Sequence, residues 1–175
     1  QQIACGMFCP TGPTHERVNT MKSVSTRLIP AAALFAVLAT GTANANAQSC
    51  QPITENEVGS LFDRWNDSLK TLDPAKVTAN YASDGVLLPT VTDQPRSTPA
   101  EINDYFVKFL KAQPRGKIDK RFVKIGCNIA QDVGTYTFSL KDGAKVHARY
   151  TYVYEFTGGK WLIAHHHSSA MPEKK

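Results

Sequence analysis

The sequence predicts an α+β domain, and three observations predict it. Two capped amphipathic segments come first, at 54–72 and 98–110. From about residue 118 the pattern changes to runs of β-branched and aromatic residues. The turn signals between those runs are short, so neighbouring strands are antiparallel hairpin partners. Helices followed by a long meander make the α+β pattern, in which a long twisted sheet can bend around the first helix and leave a cone-shaped pocket between them.

The first helix opens on Thr54-Glu55-Asn56-Glu57, a capping box. Val58, Leu61, Phe62, Trp65, Leu69 and Leu72 then recur at helical spacing and form one apolar stripe. Asp73-Pro74 stops it, and a short helix follows to Tyr81. Ser83-Asp84-Gly85 reads as a turn. Val86-Leu87-Leu88-Pro89 reads as a short strand paired with chain near Pro95-Arg96. Thr98-Pro99-Ala100-Glu101 is a second capping box with proline at the first helical position. Ile102, Tyr105, Phe106, Phe109 and Leu110 make the apolar face of its helix, which Pro114 and Gly116 end. Four strands are predicted after it, at 121–129, 134–140, 145–156 and 160–169. The turns between them are placed at Gln131-Asp132, Asp142-Gly143 and Gly158-Gly159.

The segment before this domain has a different grammar. Met21 is followed by Lys22 and Arg27, then by an apolar run from Leu28 to Ala39 and the small-residue site Ala45-Asn46-Ala47. That order is the signature of a secretory signal peptide. The run, about 12 residues, is too short for the roughly 20 a spanning helix needs, so no stable membrane anchor is expected. The expected organisation is an over-extended start or leader at 1–20, a signal peptide at 21–47 and one domain at 48–175, periplasmic or secreted. Cys5 and Cys9 lack a second ligand pair and do not make a metal site. Cys50 and Cys127 remain in the exported domain. An oxidising compartment allows them to bridge; the alternative is two unpaired thiols.

The whole chain has 175 residues, 42% of them hydrophobic and 20% charged, with a formal net charge of +5. That excludes a protein kinase, a fibrous repeat and a multi-span membrane protein. The positive excess is small and scattered, so no nucleic-acid partner is expected. Lys117, Lys120, Arg121 and Lys124 read as a solvated face. The sequence carries no nucleophile elbow, P-loop, dinucleotide fingerprint or paired-carboxylate signature, which argues against most cofactor enzymes, and no cofactor is expected.

Strand alternation assigns faces to the last two strands. In the third, Val146, Ala148, Tyr150, Tyr152, Tyr154 and Phe156 share one side, and Lys145, His147, Arg149, Thr151, Val153 and Glu155 the other. In the fourth, regular alternation groups Trp161, Ile163, His165, His167 and Ser169 against Leu162, Ala164, His166 and Ser168. Apolar groups on both sides call for two covers, a helix layer and a second subunit. His165 and His167 could share a metal only with a third ligand, and His147 is the one other histidine of the domain; pocket lining or structural hydrogen bonding is the favoured role, and no metal is expected. Arg149, mid-strand between Ala148 and Tyr150, is expected to be at least partly buried. It then needs an anion: Asp63, Asp67 or Glu155 of this chain, or a ligand. Trp65, Tyr81, Tyr105, Tyr136 and Phe138 are candidates to line the cavity. No catalytic residue is assigned.

Four stretches carry a family resemblance: Asp104-Tyr105-Phe106-Val107-Lys108-Phe109-Leu110, Gly134-Thr135-Tyr136-Thr137-Phe138, Ala148-Arg149-Tyr150-Thr151-Tyr152-Val153-Tyr154, and the block from Trp161 to Pro172 with its His165-His166-His167-Ser168-Ser169 core. Over about 55–173 the chain resembles the association (hub) domain of calcium/calmodulin-dependent protein kinase II, and more closely its bacterial stand-alone, SnoaL-like relatives. The resemblance implies the NTF2-like fold, a curved antiparallel sheet wrapped on a long helix with a conical pocket. It implies self-association, at least as dimers through the sheet, and a pocket in which arginines receive small carboxylates. Arg149 matches one such arginine, and His165 and His167 fall on the family's histidine positions. Two further basic positions of the kinase pocket appear here as Phe138 and Ser168, which implies a less cationic cavity. Calmodulin attaches to this chain only through the family's name.

The expected function is therefore an exported, self-associating domain that binds a small polar or carboxylate-bearing ligand through Arg149, His165, His167, Tyr136 and Trp65. The alternatives are a cofactor-free enzyme of ketosteroid-isomerase or SnoaL type, whose relatives are sometimes labelled oxidoreductases, and a structural assembly domain with a filled core.

Overall fold

The computed structural model describes residues 49–172, which lie in one compact unit, Asn46–Lys175. The predicted leader and signal peptide fall outside the described residues. Among the described residues, no helix is long and apolar enough to cross a membrane.

Helix α1 spans Glu55–Lys70, and both halves of its capping box are made. Thr54 Oγ1 accepts from the Glu57 amide at 3.2 Å, and Glu57 Oε2 accepts from the Thr54 amide at 2.7 Å. Its apolar stripe, Val58, Leu61, Phe62, Trp65 and Leu69, is buried. Leu72, predicted to belong to that stripe, lies beyond the helix; it takes a left-handed φ of 56° and is exposed. Asp73 caps the short α2 (Pro74–Thr78) through a 2.9 Å bond from the Ala75 amide.

Strand β1 (Tyr81–Leu88) begins earlier than predicted and pairs in parallel with the last strand. Ser83-Asp84-Gly85 is an irregularity inside it, where the register shifts between Tyr81 and Val86, rather than a turn before it. A side chain at Gly85 would meet the Ile163 and Ala82 carbonyl oxygens at 2.8 and 3.0 Å, so glycine lets the two backbones meet there. The predicted pairing near Arg96 is present as a two-bond bridge with Leu87. Helix α3 (Pro99–Phe109) has the second capping box, and a 3₁₀ turn, Leu110–Ala112, follows.

The meander is β2 (Arg115–Gly126), β3 (Ile129–Ser139), β4 (Lys145–Thr157) and β5 (Lys160–Ala170), in the sheet order β1-β5-β4-β3-β2. Two of the three predicted turns hold. Gly143, Gly158 and Gly159 have positive φ, as tight hairpin turns require. The third is corrected: the β2–β3 turn is at Cys127-Asn128, with Asn128 at φ 57°, and Gln131-Asp132 lies within β3. Asparagine tolerates the left-handed region almost as glycine does. Cys50 and Cys127 are bridged, with Cα atoms 4.8 Å apart. The Gln51 amide donates to Asn128 Oδ1 at 2.7 Å, so the segment preceding α1 is held to this turn.

Candidate functional site

The concave face of the sheet, α1 and α3 enclose a cavity of about 380 Å³, a small-molecule scale. Its walls are mostly apolar. Helix α1 supplies Trp65, α3 supplies Tyr105, Phe106 and Phe109, and β3 supplies Tyr136 and Phe138. Each follows from a periodicity in the sequence: an apolar stripe on each helix, and alternation along the strand. Trp65 stands edge-on to Phe106, Phe138, Tyr152 and His166, with centroids 5.4–6.3 Å apart.

Polar groups enter this apolar space at few points. The Tyr136 hydroxyl donates to Ser168 Oγ at 2.6 Å, and Ser168 also bonds the Thr90 hydroxyl. His166 is 3% exposed and stacks on Tyr152, centroids 4.1 Å apart. Its Nδ1 lies 2.8 Å from the Tyr81 hydroxyl, whereas its Nε2 is buried with no hydrogen-bond partner among the described residues. Burial pushes the imidazole down to about 3 and the Tyr81 phenol well up. At neutral pH the ring is therefore uncharged and the phenol keeps its proton. Placing that proton on Nδ1 as acceptor satisfies both groups, which leaves the imidazole hydrogen on Nε2. Two further donors on lining residues, Nε of Arg96 and Nε1 of Trp65, are also buried and unpartnered among the described residues, and Arg96 makes no ion pair among them. Among the described residues, no carboxylate lines the cavity.

Of the residues singled out in the sequence, the structure brings Trp65 and Tyr136 to the cavity, with Tyr105 and Phe138. Tyr81 reaches the site through His166. It does not bring Arg149, His165 and His167 there. Arg149 is exposed and makes no ion pair among the described residues, with Asp63, Asp67, Glu155 or any other carboxylate. The reason is the pleat: Ala148, Tyr150 and Tyr152 are buried against the helices, so residue 149 points to the opposite face. His165 and His167 are exposed because β5 is irregular. Tyr154 pairs with Ile163 but Val153 pairs with His165, so Ala164 is an extra residue. Trp161 and Ile163 face inward before it, and His166 and Ser168 face inward after it. The bulge exchanges the faces that regular alternation assigns to the histidines. Among the described residues, no group of three or more His, Cys, Asp or Glu is placed to hold a metal ion.

Sequence reasoning missed His166, Thr90 and Arg96 as cavity residues and noted Ser168 only by family position. Nothing in the local sequence announces the bulge. The tyrosines of β4 mark the inner face, and a register that pairs His166 with Tyr152 would have identified the inward histidine.

A curved sheet closed over helices around an apolar cone defines an NTF2-like protein. Residues 54–172 match the family model of the calcium/calmodulin dependent protein kinase II association domain, and the chain belongs to that family. Among solved structures, a candidate association domain of this kind from Xanthomonas campestris is similar at 49% identity, over 70% of this chain and 91% of that one, with a TM-score of 0.67. An NTF2-like protein of unknown function from Pseudomonas putida is 19% identical over 68% and 87% of the two chains, with a TM-score of 0.61. A candidate dehydratase of the NTF2-like family from Streptomyces avermitilis is 13% identical over 67% and 96%, with a TM-score of 0.61. The latter two likenesses concern the fold alone. No curated protein matches the chain.

Proposed function

We propose that this protein is an exported, self-associating binding domain that holds a small, largely apolar organic molecule in its cone. The observation that carries the reading is the cavity of about 380 Å³, with aromatic walls and few polar groups. Arg149, His165 and His167 have no part in that site. Arg96 and Lys108 are the cations of its wall, and they suit a ligand with an anionic or polar end. A disulfide between Cys50 and Cys127 supports export to an oxidising compartment.

Self-association is supported by the outer face of the sheet. Phe122, Val133, Thr151, His167 and Leu88 lie in register across five strands, and Phe122 and Leu88 are 66% and 41% exposed. Such a row on a monomer leaves apolar area in water, which a second copy would cover.

A cofactor-free enzyme moving a proton beside a carbonyl is the alternative, and one neighbour of the fold is a candidate dehydratase. That chemistry needs a base in the cavity. Among the described residues no carboxylate lines it, and His166, the one imidazole among them that does, is held down at about 3 by burial. Binding is therefore the better-supported reading.

The test is a thermal-shift screen of neutral and anionic aromatic molecules against the wild type and a Phe106→Trp variant that fills the cone. Hits that stabilise the wild type and vanish in the variant support the reading. Equal shifts in both proteins, or no hits at all, overturn it.

A further inference from the structure

We propose that the cone selects an apolar molecule bearing a hydrogen-bond acceptor, such as a ketone or ester carbonyl, and that Nε2–H of His166 donates to that oxygen. This deepens the binding reading above and rests on it.

The argument begins with an unmet need. A buried N–H without a partner costs free energy comparable to a lost hydrogen bond, and native interiors rarely tolerate one without a role. Nε2 of His166 is such an atom, on a side chain 3% exposed that lines the cavity wall. The imidazole cannot turn to relieve it. Tyr152 stacks on one face at 4.1 Å, Trp65 stands edge-on at 5.4 Å, and Nδ1 is held by the Tyr81 hydroxyl. These contacts hold the ring plane, and a Tyr81 hydroxyl that donates to Nδ1 puts the ring hydrogen on Nε2, so the donor is organised before any ligand arrives.

The rest of the wall points the same way. The other buried polar atoms of lining residues without a partner among the described residues, Nε of Arg96 and Nε1 of Trp65, are also donors. Three of the wall's hydroxyls, those of Tyr136, Ser168 and Thr90, are already engaged with one another, and Thr92 donates to the Gln94 carbonyl. A ligand that brings only hydrocarbon leaves the Nε2 hydrogen unmet. A ligand that brings only donors meets a wall whose donors are unpaired. A ligand with an acceptor oxygen satisfies the wall and still fills the apolar volume. Sites built to hydrogen-bond one ligand group reject the analogue that lacks it, because their own polar atom is then left unpaired.

The experiment uses two probes with one carbon skeleton, 1-tetralone and tetralin, which differ by a single carbonyl. Binding of each to the full, disulfide-bonded chain is measured by titration calorimetry, for the wild type and for His166→Phe, which keeps an aromatic ring on Tyr152. The expected result is that wild type binds 1-tetralone about tenfold more tightly than tetralin, and that His166→Phe loses this preference and binds both alike. Equal affinities in the wild type, or a preference that survives in His166→Phe, overturn the role of His166 while leaving the cone as a binding site. Failure of both probes to bind overturns the cone reading and this inference with it. If His166→Phe does not fold, ¹⁵N resonances of the wild-type imidazole decide. Nε2 must be the protonated nitrogen and must shift on adding 1-tetralone but not tetralin; any other pattern overturns the proposal.

Discussion

The guanidinium of Arg121 reaches a carboxylate, Asp132, that is wholly buried: Nε donates to Oδ1 at 3.1 Å and lies 3.0 Å from Oδ2. The Tyr150 hydroxyl donates to the same Oδ1 at 2.8 Å. The sequence places Arg121 on a solvated face; its side chain is instead 29% exposed and lies against Phe62. Burial raises Asp132, while Tyr150 and Arg121 oppose that shift. Removing one partner of such a pair leaves an uncompensated buried charge. Arg121→Met is expected to cost about 3 kcal/mol in urea unfolding, the low end for a buried pair because the guanidinium is partly exposed. Adding Asp132→Asn should recover part of that loss. A double variant less stable than Arg121→Met would show that the pair is not the coupled unit described.

The inward histidine predicts a pH dependence. His166 titrates at about 3 when folded, below the ordinary value of 6.5. Between those values the unfolded chain binds a proton that the folded chain does not. Stability therefore rises with pH across this window and is lost as pH falls from about 6.5 toward 3. The slope from this one group approaches about 1.4 kcal/mol per pH unit. Unfolding measured between pH 6.5 and 5, above most carboxylate titration, should show this slope in the wild type and lose it in His166→Phe.

Of the glycines in the strands, Gly134 leaves the least room for a side chain. A Cβ there would sit 1.9 Å from the Lys120 carbonyl oxygen, beside the register shift between Ile118 and Lys120. Backbone cannot swing aside as a side chain can. Gly134→Ala is expected to destabilise the fold by about 3 kcal/mol or more, or to prevent expression, through overpacking at a fixed contact. A melting temperature within two degrees of the wild type would contradict the close approach.

The disulfide closes a loop with a sequence separation of 77 and holds the segment ahead of α1. Cys50→Ser is expected to lose about 2–4 kcal/mol. Because the bridge lies outside the cavity's lining residues, the variant's affinity for any cone ligand should stay within about twofold at temperatures where it is folded. A large affinity loss in a folded variant would mean that the tail shapes the site.

Arg149 and His167 test the two faces separately. Arg149→Glu with His167→Glu should leave cone binding unchanged and move the protein toward monomer in light scattering, since both lie on the outer face. Lost ligand binding would contradict the assignment of faces, and unchanged assembly would reject the outer face as the interface.

The local signals of this chain are strong where they concern neighbours in sequence. Both capping boxes, the apolar stripes of α1 and α3, the glycine turns at Gly143 and Gly158-Gly159 and the inward run of β4 tyrosines could all be read directly, because caps, turns and periodicities are set by residues a few positions apart. They suffice for the α+β architecture and for Trp65 and Tyr136 as cavity lining. Tertiary structure alone decided which histidine faces the cone. One extra residue at Ala164, accommodated by pairing with β4, reverses every side chain after it. It also decided that Arg121 pairs inward and Arg149 points out, and that β1 docks in parallel beside β5. Those outcomes depend on register between segments far apart in the chain, and register is an energy of the assembled sheet with no counterpart in any single stretch of residues.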